Sequence, residues 1–170
     1  MELERFVRTI ADFPKPGIEF RDLTPLLADA AALRVTVGRL VAPYRDSGVE
    51  FVAGMEARGF VFGALAAWQL GAGFVPLRKP GKLPAAVESV SYELEYGSAS
   101  LEVHRDAVTQ GRRVLLVDDV LATGGTAAAS VELVQRLAAT VVACAFVVEL
   151  AALEGRSRLT GVPVHSVLAL

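Results

Sequence analysis

With a single cysteine among its 170 residues, the chain can build neither a disulfide framework nor a thiolate metal site. Cys144 sits in the apolar run "VVACAFVV" and reads as buried filler. Histidines number only two; His104 ends a predicted hairpin, His165 lies in the last predicted strand, and both read as structural. An excess of one charge sign is also missing. With 17 basic residues against 19 acidic ones there is no general field for nucleic acid or an anionic membrane, so any anionic ligand must be gripped locally. The opening "MELERFVRTI" lacks an apolar core of signal-peptide length, which predicts a cytoplasmic protein. Residues 59 to 77 carry no charge and approach the length of a membrane span. Gly71 and Gly73 punctuate that stretch, which predicts helix, turn and strand and no membrane. No repeat, low-complexity tract or linker divides the chain, so residues 1–170 are expected to form one domain.

What is present is apolar and small. The hydrophobic fraction is 53% and the charged fraction 21%, with Ala and Val dominant, as in a compact chain. Continuous Val-rich runs predict strands covered on both faces at 49–55, 73–78, 112–119 and 140–150, with a fifth in "VPVHSVLAL" at the C-terminus. Helical stretches at 30–46, 58–70, 125–138 and 151–159 alternate with them. That order predicts an α/β fold whose ligands sit at the C-terminal ends of parallel strands.

Residues 79 to 104 follow another pattern. Val90, Tyr92, Leu94 and Tyr96 alternate with Glu93 and Glu95, and Gly97-Ser98 fits a two-residue hairpin turn. Pairing across that turn opposes Tyr96 with Ala99, Leu94 with Leu101 and Tyr92 with Val103 on one face, and Glu93 with Glu102 on the other. The acidic pair is mildly unfavourable. Two strands off the main sheet are marginal alone, which suits a flexible lid.

The chemistry concentrates at two strand ends. "VLLVDDVLATGGTA", residues 114 to 127, runs a buried strand into Asp118 and Asp119 and then into small residues, hydroxyls and two glycines before a helix. Such glycines let backbone N–H groups converge on an anion at a helix N-terminus. With the Thr123 and Thr126 hydroxyls beside them, and two carboxylates able to accept from vicinal hydroxyls, the stretch suits a sugar phosphate; an ordinary strand-to-helix turn is the alternative. It lacks the Gly-Lys-Ser/Thr ending of a Walker A loop and the glycine spacing of a dinucleotide fold. At the second end, "MEARGFVFG" sets Arg58 at a helix start, where a positive charge opposes the helix dipole unless an anion lies nearby. Lys79 and Lys82, two of three lysines, either approach the same anion or are simply solvated.

These residues resemble the type I phosphoribosyltransferases, whose motif for phosphoribosyl pyrophosphate looks like "VLLVDDVLATGGTA". The likeness spans essentially the whole chain, through "DFPKPGIEFRDLTPLL", "MEARGFVFG", "RKPGKLP", "YELEYGSASLEVH" and "VVELAALEGR". It is similar in particular to the adenine-using branch, because Ala122 stands where 6-oxopurine enzymes usually carry an aspartate. The resemblance implies a single α/β domain with a central, mostly parallel sheet flanked by helices. It implies a hood made of residues 1–28 and part of 149–160, and a hairpin lid over 79–104. The implied reaction is reversible transfer of the 5-phosphoribosyl group to N9 of adenine, giving AMP and pyrophosphate. Mg²⁺ would be held mainly through the substrate, with no direct protein ligand, and the enzyme would be a homodimer. Carried onto this chain, Asp118 and Asp119 would hold the ribose, and Ala122, Thr123, Gly124, Gly125 and Thr126 the 5′-phosphate. Arg58, Lys79 and Lys82 would take the pyrophosphate; Ile18, Glu19, Phe20, Arg21 and Leu150 would recognise adenine; Glu95, with Arg58, would be catalytic, handling the N7 proton. Glu19 and Pro80 depart from the usual residues of the family, which bears on affinity.

Two other readings compete. A phosphoribosyltransferase for another purine, such as xanthine, would share the phosphate machinery. A phosphoribosyl pyrophosphate-sensing regulator would need a DNA-binding element, and no basic helix-turn-helix segment precedes the hood.

Overall fold

The Val-rich runs pair side by side into one parallel sheet. The computed structural model describes residues 1–93 and 98–170. Five strands, β3 (Phe51–Met55), β4 (Gly73–Leu77), β7 (Arg113–Leu121), β8 (Thr140–Glu149) and β9 (Val164–Ala169), lie in the order β4-β3-β7-β8-β9, all parallel. Neighbouring residues on each strand face opposite ways. Val52, Leu115 and Ala145 therefore enter one core with helices α2 (Ala30–Val41) and α3 (Gly59–Leu70). Ala53, Leu116 and Phe146 enter a second with helix α4 (Gly125–Arg136). Covering on both faces is what continuous apolar strands require. Cys144 is fully buried in the second core, and burial pushes its thiol up to about 12.

The uncharged stretch 59–77 resolves into helix α3, a Gly71 cap and strand β4, as its glycines predicted. Among the described residues no helix is long and apolar enough to cross a membrane. Ahead of the sheet, β1 (Arg8–Ile10) and β2 (Phe20–Asp22) pair antiparallel and lead into the short helix α1 (Thr24–Ala28). The helix predicted at 151–159 is instead two 3₁₀ turns, Ala151–Leu153 and Gly155–Arg158. The break falls at Glu154, whose φ of 49° is left-handed.

The hairpin forms, with a different register. Strands β5 (Val87–Glu93) and β6 (Ser98–His104) oppose Tyr92 to Ala99, Val90 to Leu101 and Ser89 to Glu102. Ser98 pairs with Glu93, so it belongs to the strand and not to a two-residue turn. Leu94, Glu95, Tyr96 and Gly97, on which the rest of that expectation fell, lie outside the described residues. The shift is even, so the apolar face is kept. Two contacts set it: Arg78 and Glu102 exchange backbone hydrogen bonds of 2.8 and 2.7 Å, and Val90, Leu101 and Val103 are buried in the second core. The Glu93–Glu102 opposition disappears as a result.

Candidate active site

Two chain reversals meet at the C-terminal end of the sheet. After β7 the chain passes Ala122 and Thr123 to Gly124, which caps α4 at φ +82°, a conformation open to glycine at little cost. No side chain caps that helix, which leaves its first N–H groups to the adjoining pocket. Asp118, Thr123, Gly124, Gly125 and Thr126 line this pocket of about 80 Å³, with Ala122 and Phe146. Behind the loop lies Gly155. A Cβ on Gly155 would stand 2.1 Å from the Ala122 carbonyl oxygen, and one on Gly124 would stand 2.3 Å from the Gly155 carbonyl oxygen. Backbone therefore packs directly on backbone, and the loop's shape depends on a residue some thirty positions downstream. Sequence reasoning missed Gly155; its only mark was its place in "LEGR".

The two carboxylates lie inside β7, with Asp119 two residues and Asp118 three residues short of its end at Leu121. Asp119 is buried and accepts a short hydrogen bond from Arg58 Nε. Asp118 is partly exposed, and its Oδ1 accepts from the Asp119 N–H at 2.8 Å. Burial and the neighbouring Asp119 charge push the Asp118 carboxyl well above the usual range, against the pull of Arg58. For Arg58 burial acts downward, but Asp119, Asp118 and Asp22 outweigh it and raise the guanidinium further.

Across from the acids, the Arg58 guanidinium carbon lies 5.5 Å from the centroid of the Phe20 ring, within cation–π range. Phe13 meets the same ring edge-on at 5.1 Å. Arg21 Nη2 donates to Glu19 at 3.0 Å, so the unusual Glu19 has a local partner. Ile18 spends its N–H on the Lys15 carbonyl and accepts from the Phe13 N–H, inside its own turn. Leu150 donates its N–H to Leu121 and packs against the first core.

Of the two loop lysines, Lys82 pairs through its ammonium and Lys79 is held through its backbone N–H. Glu56, between β3 and α3, accepts from the Lys79 N–H at 2.8 Å and pairs with Lys82 Nζ at 3.2 Å and Arg78 Nε at 3.4 Å. Burial pushes the Glu56 carboxyl upward, and those partners more than reverse it. Glu56 and Arg78 went unassigned in the sequence, although "MEARG" and "RKPGK" contain them. Glu95 lies outside the described residues. His104 accepts from the Ala85 N–H, and His165 bonds the Arg39 carbonyl, both away from the cleft.

An uncapped helix start under a glycine loop, beside paired acids and an arginine, has the chemistry that suits a phosphorylated sugar. The family model for a phosphoribosyl transferase domain matches residues 28–164. An adenine phosphoribosyltransferase of Methylococcus capsulatus is 65% identical over 167 residues, 98% of this chain and 98% of its own. The solved structure of adenine phosphoribosyltransferase from Rhodothermus marinus matches with a TM-score of 0.95 at 50% identity, covering 99% of this chain and 96% of that one. The Giardia lamblia enzyme complexed with 9-deazaadenine gives 0.94 at 36% identity, covering 99% and 96%. The chain belongs to the phosphoribosyl transferase family, and within it to the adenine phosphoribosyltransferases.

Proposed function

We propose that this chain transfers the 5-phosphoribosyl group of phosphoribosyl pyrophosphate to N9 of adenine, releasing pyrophosphate and forming AMP. The observation that carries the reading is the 122–126 loop: an uncapped helix N-terminus with two hydroxyls, set directly after the acids of β7. In it, Ala122 to Thr126 hold the 5′-phosphate, while Asp118 and Asp119 accept from the ribose hydroxyls. Arg58, Lys79 and Lys82 receive the pyrophosphate, and each cation or its loop is already tied to an acid that the ligand would replace. As the pyrophosphate departs, positive charge develops at the anomeric carbon, and the fixed carboxylates stabilise it. Phe20 stacks on the base, backed by Phe13 and Arg58. Ile18, Glu19, Arg21 and Leu150 complete the hood around it, and Glu95 manages the N7 proton.

The donor set fits a Mg²⁺ carried by the substrate. Asp119 and Glu56 are already neutralised by cations, and among the described residues no cage of free carboxylates is left. When bound, the ion would offset charge on the leaving pyrophosphate. We further assign the protein to the cytoplasm as a homodimer. In support of assembly, Trp68 is 83% exposed beside an apolar groove of about 250 Å³ formed with Leu33, Val37 and Leu65. Sedimentation at micromolar concentration tests that assignment.

A base panel with labelled phosphoribosyl pyrophosphate tests the reaction. Adenine should be used at least about 10²-fold better than hypoxanthine, guanine or xanthine, because a 6-oxo group reverses the hydrogen-bond polarity the site offers. Comparable use of xanthine would move the chain to another purine.

A further inference from the structure

Among the described residues, the β5–β6 hairpin reaches the 122–126 pocket through the Tyr92 side chain. Tyr92, near the end of β5, packs against the second core, and Thr126 Oγ1 donates to its phenolic oxygen at 3.2 Å. Thr126 stands in the first turn of α4 and lines the pocket. A threonine hydroxyl has one proton and two lone pairs, so it can donate to one acceptor at a time. Once a phosphate oxygen accepts a hydrogen bond from that hydroxyl, the Tyr92 O–H can donate back to Thr126 Oγ1. The chain then runs from Tyr92 through Thr126 to the phosphate, each bond polarising the next.

We propose that Tyr92 is a positioning residue for the 5′-phosphate subsite, orienting the Thr126 hydroxyl and strengthening it as a donor to the phosphate. The inference rests on the reading of the 122–126 pocket as that subsite. It gives Tyr92 a role separate from its packing, because the phenol ring alone fills the core and the hydroxyl alone meets Thr126.

Of the four reactants, phosphoribosyl pyrophosphate and AMP carry the 5′-phosphate; adenine and pyrophosphate do not. Tyr92→Phe keeps the ring and removes the hydroxyl. It should raise KM for phosphoribosyl pyrophosphate and for AMP about three- to tenfold, as loss of one hydrogen bond implies. KM for adenine and pyrophosphate should stay within about twofold, and Tm should fall by no more than about 5 °C, the most that one lost hydrogen bond implies. The control is Ser91→Ala, which deletes a 2.8 Å contact with Ser100 from the other face of the same hairpin. That variant should leave all four constants alone. Equal shifts in all four constants with Tyr92→Phe, the same pattern from Ser91→Ala, or no change in either phosphate-bearing reactant would overturn the proposal. Should the wild-type chain make no AMP, the reading of the reaction falls, and ribose 5-phosphate binding still decides the relay. Three- to tenfold weaker binding to Tyr92→Phe supports it, and equal binding overturns it.

Discussion

Arg58, in the connection after β3, and Asp119, inside strand β7, are joined by a hydrogen bond between the guanidinium and the carboxylate. The same guanidinium lies over Phe20 of the N-terminal hairpin, so one side chain links all three parts of the site. Asp119 is 4% exposed, whereas the Arg58 side chain is about half exposed.

Arg58→Gln should leave Asp119 as a buried charge without its cation. A loss of about 1–2 kcal/mol is expected, below the value for a fully buried pair because Arg58 is screened by water. The double variant Arg58→Gln/Asp119→Asn should regain most of that stability and none of the turnover. Denaturant unfolding of the single and double variants reads the coupling; additive losses would show that the pair contributes nothing.

The Asp118 carboxyl titrates above its unfolded value, near 3.9, because of burial and the charge of Asp119. Between those two values the native state binds more protons than the unfolded one, so this group makes stability fall as pH rises. Asp118→Asn removes the penalty. Its Tm advantage over the wild type should be absent near pH 3, emerge above about pH 4 and persist at pH 7. Turnover with phosphoribosyl pyrophosphate should meanwhile drop at least about tenfold, as loss of a charged hydrogen-bond partner implies. Equal Tm values at pH 7 would mean that the buried charge costs nothing.

Gly155→Ala should disturb the phosphate loop from behind. A methyl group 2.1 Å from the Ala122 oxygen must move backbone, at a cost of about 1–3 kcal/mol. KM for phosphoribosyl pyrophosphate should rise by more than that for adenine. Gly38→Ala is the contrasting case, since its Cβ would meet nothing within 4 Å on helix α2. It should stabilise the chain by about 0.5–1 kcal/mol with kinetics unchanged. Thermal melts and substrate titrations of both variants distinguish local crowding from a general intolerance of glycine replacement.

Glu95→Gln should lower kcat by roughly 10² with little change in either KM, the pattern expected when a positioned acid or base is lost. Glu93→Gln should do little. Equal, small effects would return the N7 proton to water or to backbone groups of the hood.

Much of this protein was legible in sequence because burial on both faces writes itself as unbroken Val, Ala and Leu. The five sheet strands, the helices at 30, 59 and 125, and the splitting of 59–77 by Gly71 all follow from apolar runs and their punctuation. The acids, the glycine loop and Arg58 were also visible, since each is local in the chain. What tertiary structure decided is every relationship between distant residues. The hairpin register follows from the Arg78–Glu102 bridge and from burial in the core of α4, and turn composition alone carries neither contact. Asp118 and Asp119 look alike as neighbours in the chain, yet one lines the 122–126 pocket and the other holds Arg58, because adjacent strand residues leave in opposite directions. The Lys82 ammonium and the Lys79 backbone N–H gain their partner only when Glu56 is folded beneath them. Gly155 matters because its missing side chain admits the 122–126 loop, a close approach that exists only once the chain has folded.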